Sequence, residues 1–86
     1  MLLHGFTGTP HGMRQLGEYL AGQGYTVHGP RLFGHATQEG DLVRARFHDW
    51  MASAEDGYYL LRPNTEHLFV LGLSMGGALA LLLAAR

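Results

Sequence analysis

The chain has 86 residues, of which 47% are hydrophobic and 15% charged, and its net charge is −1 with histidine neutral. A chain of this length buries only about 60% of its unfolded surface, so we expect one small domain. The near-neutral charge excludes strong electrostatic attraction of nucleic acid. Because the sequence has no cysteine, it excludes disulfides, a thiolate nucleophile and a cysteine metal site.

The first half of the chain predicts strand, helix, strand and loop in turn, without a linker, repeat or low-complexity tract. Leu2-Leu3 is the end of a first strand, and Thr9-Pro10 then opens a helix with a capping hydroxyl and a proline at its first position. A second strand is predicted at Tyr25–His28, and Gly29-Pro30 ends it. The glycine-rich and polar residues from Arg31 to Asp41 predict a loop.

The second half of the chain predicts a long helix, a buried strand and a last helix. Apolar residues recur at helical spacing from about residue 45 to residue 62, and Pro63-Asn64 closes that helix. The strand Leu68–Leu71 follows, and the last helix begins near Met75. Strands that alternate with helices favour a parallel sheet, because each right-handed crossover returns the chain to the same edge. We therefore expect an α/β fold.

The most informative motif is Gly72-Leu73-Ser74-Met75-Gly76, which lies between an apolar strand and the apolar stretch Ala78–Ala85. A serine hydroxyl is a weak nucleophile at neutral pH, so it has to be exposed on a tight turn where a base and backbone N–H groups reach it. Gly72 and Gly76 fit such a turn, because a side chain at either position would collide with neighbouring backbone. The context predicts a nucleophile elbow with Ser74 as the nucleophile.

A second motif, His4-Gly5-Phe6-Thr7-Gly8, follows the first predicted strand. With both motifs in this order, the sequence resembles the α/β-hydrolase superfamily, most closely the microbial carboxylesterases and monoacylglycerol-lipase-like serine esterases. The resemblance covers essentially the whole chain. It implies a three-layer α/β/α arrangement of about three strands and three helices, with the first strand in the middle of a parallel sheet.

The resemblance also implies roles for the two motifs. Ser74 would form an acyl-serine intermediate with an ester, and the backbone N–H groups of Phe6 and Met75 would form the oxyanion hole. Relatives place a catalytic Asp and then a His well beyond the serine, and residues 75–86 contain neither. We therefore expect residues 1–86 to be a partial α/β-hydrolase domain, running from the oxyanion loop through the elbow to the following helix. Its N- and C-terminal parts would lie outside this chain, which would be inactive in isolation.

Other interpretations stand beside this one. Serine is a preferred N-cap, so Ser74 is alternatively an ordinary helix cap, and Phe6 is alternatively a core aromatic beside a turn. For the chain as a whole, one alternative is a non-catalytic truncated module. Another is an acyltransferase or thioesterase of the same superfamily that uses the same serine. The two motifs together favour the ester hydrolase.

The six histidines predict no metal site, because no pair has the i, i+4 helical spacing of a zinc site. No cofactor is expected either. The position of His4 in its motif implies a ring that orients the oxyanion loop. His35 lies where relatives read Gly-His-Gly, and Ala36 replaces the last glycine, so alanine would have to adopt any positive φ required there. We expect structural or solvated roles for the other histidines, which are His11, His28, His48 and His67.

The expected ligand is a small-molecule ester with an apolar acyl group, which Phe6, Phe33 and Met75 favour. The apolar stretch Ala78–Ala85 is far shorter than the ~20 residues that span a bilayer, so no stable membrane insertion is expected. Met1–His4 has no signal-peptide pattern, and a cytoplasmic location follows if residue 1 is the true start. The unpaired outer strands of a small parallel sheet predict self-association through the sheet edges.

Overall fold

Two short parallel strands from opposite ends of the chain form the centre of the fold. The computed structural model describes residues 1–6, 8–37 and 39–85. Strand β1 (Leu2–Leu3) pairs in parallel with strand β2 (Leu71–Gly72), with Leu2 opposite Leu71 and Leu3 opposite Gly72. Each strand leads directly into one of the two motifs, so this pairing brings the motifs to the same end of the sheet.

Helices make up most of the remaining described structure. The α-helices are α1 (Arg14–Gly22), α2 (Glu39–Arg44), α3 (Phe47–Leu61) and α4 (Met75–Ala84), and 3₁₀ turns lie at Pro10–Met13 and Arg62–Asn64.

Strand β1 lies between two other segments, as the family resemblance implies. On one side, the carbonyls of Met1 and Leu3 accept the N–H groups of Leu71 and Leu73 at 2.9 and 3.1 Å. On the other side, the Leu2 N–H donates to the His28 carbonyl at 2.9 Å. Because the peptide groups of a strand point alternately to its two edges, these bonds place β2 and the segment near His28 on opposite sides of β1.

The prediction of a strand at Tyr25–His28 is wrong, and the described residues form two strands instead of about three. Only the His28 carbonyl bonds to β1, while the Tyr25 N–H donates to Leu20 at the end of α1 at 3.2 Å. A single bond does not make a ladder, so this segment does not form a strand. The strand predicted at Leu68–Leu71 begins only at Leu71, where β1 provides partners.

The helices also differ in part from the prediction. The first helix begins as the 3₁₀ turn Pro10–Met13, and Thr9 makes no side-chain capping bond, so the predicted capping hydroxyl is wrong. The end of the predicted loop Arg31–Asp41 belongs to α2, where the Arg44 guanidinium bonds the Asp41 carboxylate across one helical turn. The described residues thus form four α-helices instead of about three.

Helix α3 confirms the long helix predicted from about residue 45 to residue 62. The Asp49 carboxylate accepts the N–H of Arg46 at 2.9 Å and so satisfies a backbone donor at the helix start. The helix ends in the 3₁₀ turn that contains Pro63.

Helices cover both faces of the sheet, which confirms the expected three-layer α/β/α class. Leu2 faces α1, since a Cβ placed on Gly17 would lie 3.5 Å from the side chains of both Leu2 and Val27. Leu3 points to the opposite face and is completely buried between α3 and α4. The buried apolar residues of this core are Met1, Leu3, Leu32, Met51, Ala54, Leu79, Ala80 and Leu83.

Large apolar side chains are exposed beside β2 and along α4. They include Leu73, Leu81, which is 76% exposed, and Leu82. Self-association through the sheet edges stays a prediction, as does the cytoplasmic location. None of the described helices is long and apolar enough to cross a membrane.

Candidate active site

Ser74 occupies a strained turn between β2 and α4. Its backbone has φ 58° and ψ −118°, a conformation that residues with a Cβ rarely adopt. The residue is exposed, and its hydroxyl makes no capping bond to α4. An ordinary N-cap has an extended backbone and bonds the helix through its side chain, so the geometry of Ser74 does not support the cap interpretation.

Close packing of backbone explains why this turn requires glycine on both sides of the serine. A Cβ on Gly72 would overlap the carbonyl of Gly76, and a Cβ on Gly76 would overlap the carbonyls of Leu3 and His4. The turn is closed by the N–H of Gly76, which donates to Leu73 at 3.0 Å. The crowding expected at both glycines is therefore confirmed, and it presses the serine turn against the end of β1.

The loop after β1 lies directly against this turn. A Cβ placed on Gly5 would lie 3.4 Å from the Cβ of Ser74 and 3.1 Å from the carbonyl oxygen of Leu73. The absence of a side chain on Gly5 therefore allows its backbone to reach the serine. The fold joins the two motifs at one site although they lie at opposite ends of the sequence.

Hydrogen bonds fix the orientation of the peptide group that joins Gly5 to Phe6. The Gly5 carbonyl accepts the N–H of Gly8 and the Nδ1–H of His4, both at 2.9 Å. The peptide bond is trans and planar, so its N–H points to the side opposite its carbonyl. The Phe6 N–H is thus directed away from His4 and Gly8. Neither it nor the N–H of Met75 donates to any other residue in the described ranges.

The His4 ring is neutral and supports this loop from beneath. It is 2% exposed, and its Nε2 accepts the backbone N–H of Leu32 at 3.1 Å. Nε2 therefore carries no proton, and Nδ1 is the nitrogen that donates to Gly5. Burial lowers the pKa of His4; the bond to Gly5 opposes this in part, and the nearby His35 has the smallest effect, which again lowers the pKa. With both nitrogens bonded, His4 has no free lone pair for the Ser74 hydroxyl.

The Phe6 side chain contacts an aromatic cluster that the sequence did not predict. Its ring lies 5.7 Å from that of Trp50 and 5.9 Å from that of His35, with edge-to-face angles. Phe6 is nevertheless 52% exposed, so the alternative interpretation as a core aromatic is wrong. Trp50 was recognisable only as one residue of the apolar face of α3, which gives no signal for a contact with the loop after β1.

The remaining candidates lie away from the serine turn. His11, His48 and His67 are exposed and His28 is half-buried. Within the described ranges, no three acidic or histidine side chains are grouped as a metal ion would require. A cavity of about 430 Å³ opens at the opposite end of the strands, where Met1, Tyr25 and Phe69 line it. It includes neither Ser74 nor Phe6.

An exposed, strained serine at the strand-to-helix turn of a three-layer α/β structure is the geometry typical of α/β proteins that have a nucleophile elbow. A model of the alpha/beta hydrolase fold family matches residues 1–86, and the chain belongs to this family.

Two curated relatives and one solved structure show how much of such proteins the chain represents. It is 57% identical over 84 residues to a protein named thermostable monoacylglycerol lipase from Bacillus sp. (strain H-257), covering 98% of this chain and 34% of that protein. It is 43% identical over 82 residues to a carboxylesterase of Bacillus subtilis (strain 168), covering 94% of this chain and 33% of that protein.

The solved structure comes from work on LipS and LipT, two metagenome-derived lipolytic enzymes. It superposes with a TM-score of 0.92 at 43% identity, over 96% of this chain and 34% of that one. The chain therefore spans about a third of the length of each of these three proteins.

Proposed function

We propose that this chain carries the nucleophile and the oxyanion hole of a serine carboxylic-ester hydrolase. The observation that carries the proposal is the conformation of Ser74, which is exposed at φ 58° with no capping bond and lies against the Gly5 backbone. The proposed substrate is a small ester with an apolar acyl group. Relatives named monoacylglycerol lipase and carboxylesterase support that substrate class.

In the proposed reaction, the Ser74 Oγ attacks the ester carbonyl carbon while a base removes the hydroxyl proton. The carbonyl oxygen becomes an oxyanion, which the N–H groups of Phe6 and Met75 stabilise. Collapse of this intermediate expels the alcohol, which takes the proton from the base and leaves an acyl-serine. Water then attacks the acyl group in the same way and releases the acid. Loss of one oxyanion donor costs about 3 kcal/mol, or roughly a hundredfold in rate.

Helix α4 adds to the stabilisation of the oxyanion. Ser74 is at its N-cap position, so the first N–H groups of the helix and its positive dipole end lie at the proposed site. That field contributes on the order of 0.5 kcal/mol when exposed and more when water is excluded.

We infer that the base and its acid, a His and an Asp, come from parts of the complete gene product outside residues 1–86. Two observations support this. Both nitrogens of His4, which lies beneath the oxyanion loop, are already bonded. The named relatives are also about three times as long as this chain. The 86 residues would then be a partial domain that has no turnover when isolated.

The test is hydrolysis of a p-nitrophenyl ester by the complete gene product and by the 86-residue chain. We expect Ser74→Ala to lower kcat/KM of the complete product at least about a thousandfold. The matched control, Thr26→Ala, removes an exposed hydroxyl at the other end of the sheet and should leave the rate unchanged.

Three outcomes would contradict parts of this proposal. Full activity of Ser74→Ala would exclude Ser74 as the nucleophile. Turnover of the isolated chain that depends on Ser74 would show that no outside Asp and His are needed. Preferential transfer of the acyl group to an added alcohol, with little free acid, would favour the acyltransferase alternative.

A further inference from the structure

His35 lies at the centre of the cluster behind the oxyanion loop. Its ring centroid is 4.9 Å from that of His4 and 5.9 Å from that of Phe6, and it is only 2% exposed. His4 holds the Gly5 carbonyl, and Phe6 carries the N–H on the other side of the same peptide bond. A single buried side chain therefore contacts both residues that set the orientation of this peptide.

Trp50 closes the other side of the cluster. Its ring lies 5.7 Å from that of Phe6 and 6.1 Å from that of His35. Its indole N–H donates to the Phe33 carbonyl at 3.1 Å, and the Nδ1 of His35 bonds the same carbonyl at 3.2 Å. This shared acceptor ties the loop that carries His35 to helix α3 and fixes both rings relative to Phe6.

Two features of this loop cost free energy. Ala36 has φ 57°, which is unfavourable for a residue with a Cβ, and Gly34 on the other side of His35 has φ 79°. The Nε2 of His35 is also buried, and no group among the described residues hydrogen-bonds to it. Strained backbone and unpaired buried polar atoms persist where the surrounding structure enforces them, and they are concentrated at functional sites.

We propose that His35 and Trp50 are positioning residues for the oxyanion loop. Their rings hold the Phe6 side chain and thereby direct the Phe6 N–H toward the oxyanion that forms at Ser74. The inference rests on the proposed esterase function. It adds two residues that do not contact the reacting atoms and act through Phe6.

The test uses the complete gene product and measures kcat per active site, with sites counted by titration with a fluorophosphonate. Trp50→Leu removes the ring and the indole N–H. We expect kcat per site to fall about tenfold, which is less than the effect of losing an oxyanion donor. The KM should stay within about threefold of the wild-type value. Trp50→Phe keeps a ring and should recover most of that rate. Tyr59→Leu removes an exposed aromatic ring from the same helix, and we expect no change.

A double-mutant cycle separates positioning from general destabilisation. Because Trp50 is proposed to act through the Phe6 ring, Phe6→Leu should lower kcat per site to a similar extent, and Phe6→Leu with Trp50→Leu should lose little more than either alone. If Trp50→Leu yields no folded protein, Phe6→Leu and Trp50→Phe decide the question. The half-exposed Phe6 ring makes its replacement compatible with folding.

Unchanged kcat per titrated site in Trp50→Leu and Phe6→Leu would overturn the inference and leave the esterase proposal intact. Fewer titrated sites with a normal rate per site in these variants would also overturn the inference, because that result reports only misfolding. A wild-type protein that the fluorophosphonate does not titrate at Ser74 would overturn both proposals.

Discussion

The strained backbone of Ser74 predicts that glycine at this position stabilises the chain while it removes the proposed nucleophile. At φ 58° and ψ −118° a residue with a Cβ pays a conformational cost of about 1–3 kcal/mol. Glycine adopts this conformation without that cost but loses about 0.5–1 kcal/mol more backbone entropy on folding. Relative to Ser74→Ala, which keeps the Cβ, we expect Ser74→Gly to raise the free energy of unfolding by about 1 kcal/mol.

Thermal and urea unfolding of the wild type, Ser74→Ala and Ser74→Gly measure this difference in the free energy of unfolding. In the complete gene product, for which the relatives indicate about three times the length of this chain, about 1 kcal/mol corresponds to a Tm increase of about 2–4 °C. Ala52→Gly is the control, because Ala52 is exposed on the regular helix α3 and the same exchange there should cost about 1 kcal/mol. If Ser74→Gly unfolds at or below the midpoint of Ser74→Ala, the turn stores no strain and the reasoning is wrong.

Three further predictions follow from the same geometry. Ala36→Gly relieves the positive φ and should raise the free energy of unfolding by up to about 1 kcal/mol in urea titrations, while an unchanged or lower value would exclude strain there. Gly76→Ala forces a Cβ into the carbonyls of Leu3 and His4 and should cost about 3 kcal/mol or more, and a midpoint equal to wild type would contradict this packing. Burial lowers the pKa of His4, so below about pH 6.5 the unfolded chain binds more protons than the folded chain. The contribution of His4 to the free energy of unfolding should therefore be complete above that pH and fall as the pH decreases toward the lowered pKa. His4→Gln should weaken this dependence in urea unfolding at pH 7.5 and 5.5, and an equally steep dependence in the variant would assign it to other groups.

Local sequence patterns predicted the features of this fold that depend on neighbouring residues. The serine turn follows from Gly72 and Gly76, because their positions beside Ser74 decide where a Cβ would collide with backbone. Helix α3 follows from apolar spacing and from Pro63. These features require little information from elsewhere in the chain.

Features that depend on distant partners were predicted less well. The segment Tyr25–His28 has the composition of a strand, but a ladder needs repeated backbone bonds to a neighbouring strand, and only the His28 carbonyl bonds to β1. The roles of His35 and Trp50 depend on a carbonyl that both share and on ring contacts across the fold. Helical spacing predicts only that Trp50 faces inward, so neither contact was visible in the sequence.

The most direct test of the account is to locate the site of fluorophosphonate attachment in the complete gene product by peptide mass spectrometry. Nucleophilic Ser74 predicts one phosphonate adduct, on the peptide that contains residues 72–76, and no adduct in Ser74→Ala. An adduct on another residue, or labelling that persists in Ser74→Ala, would show that the strained serine of this turn is not the nucleophile.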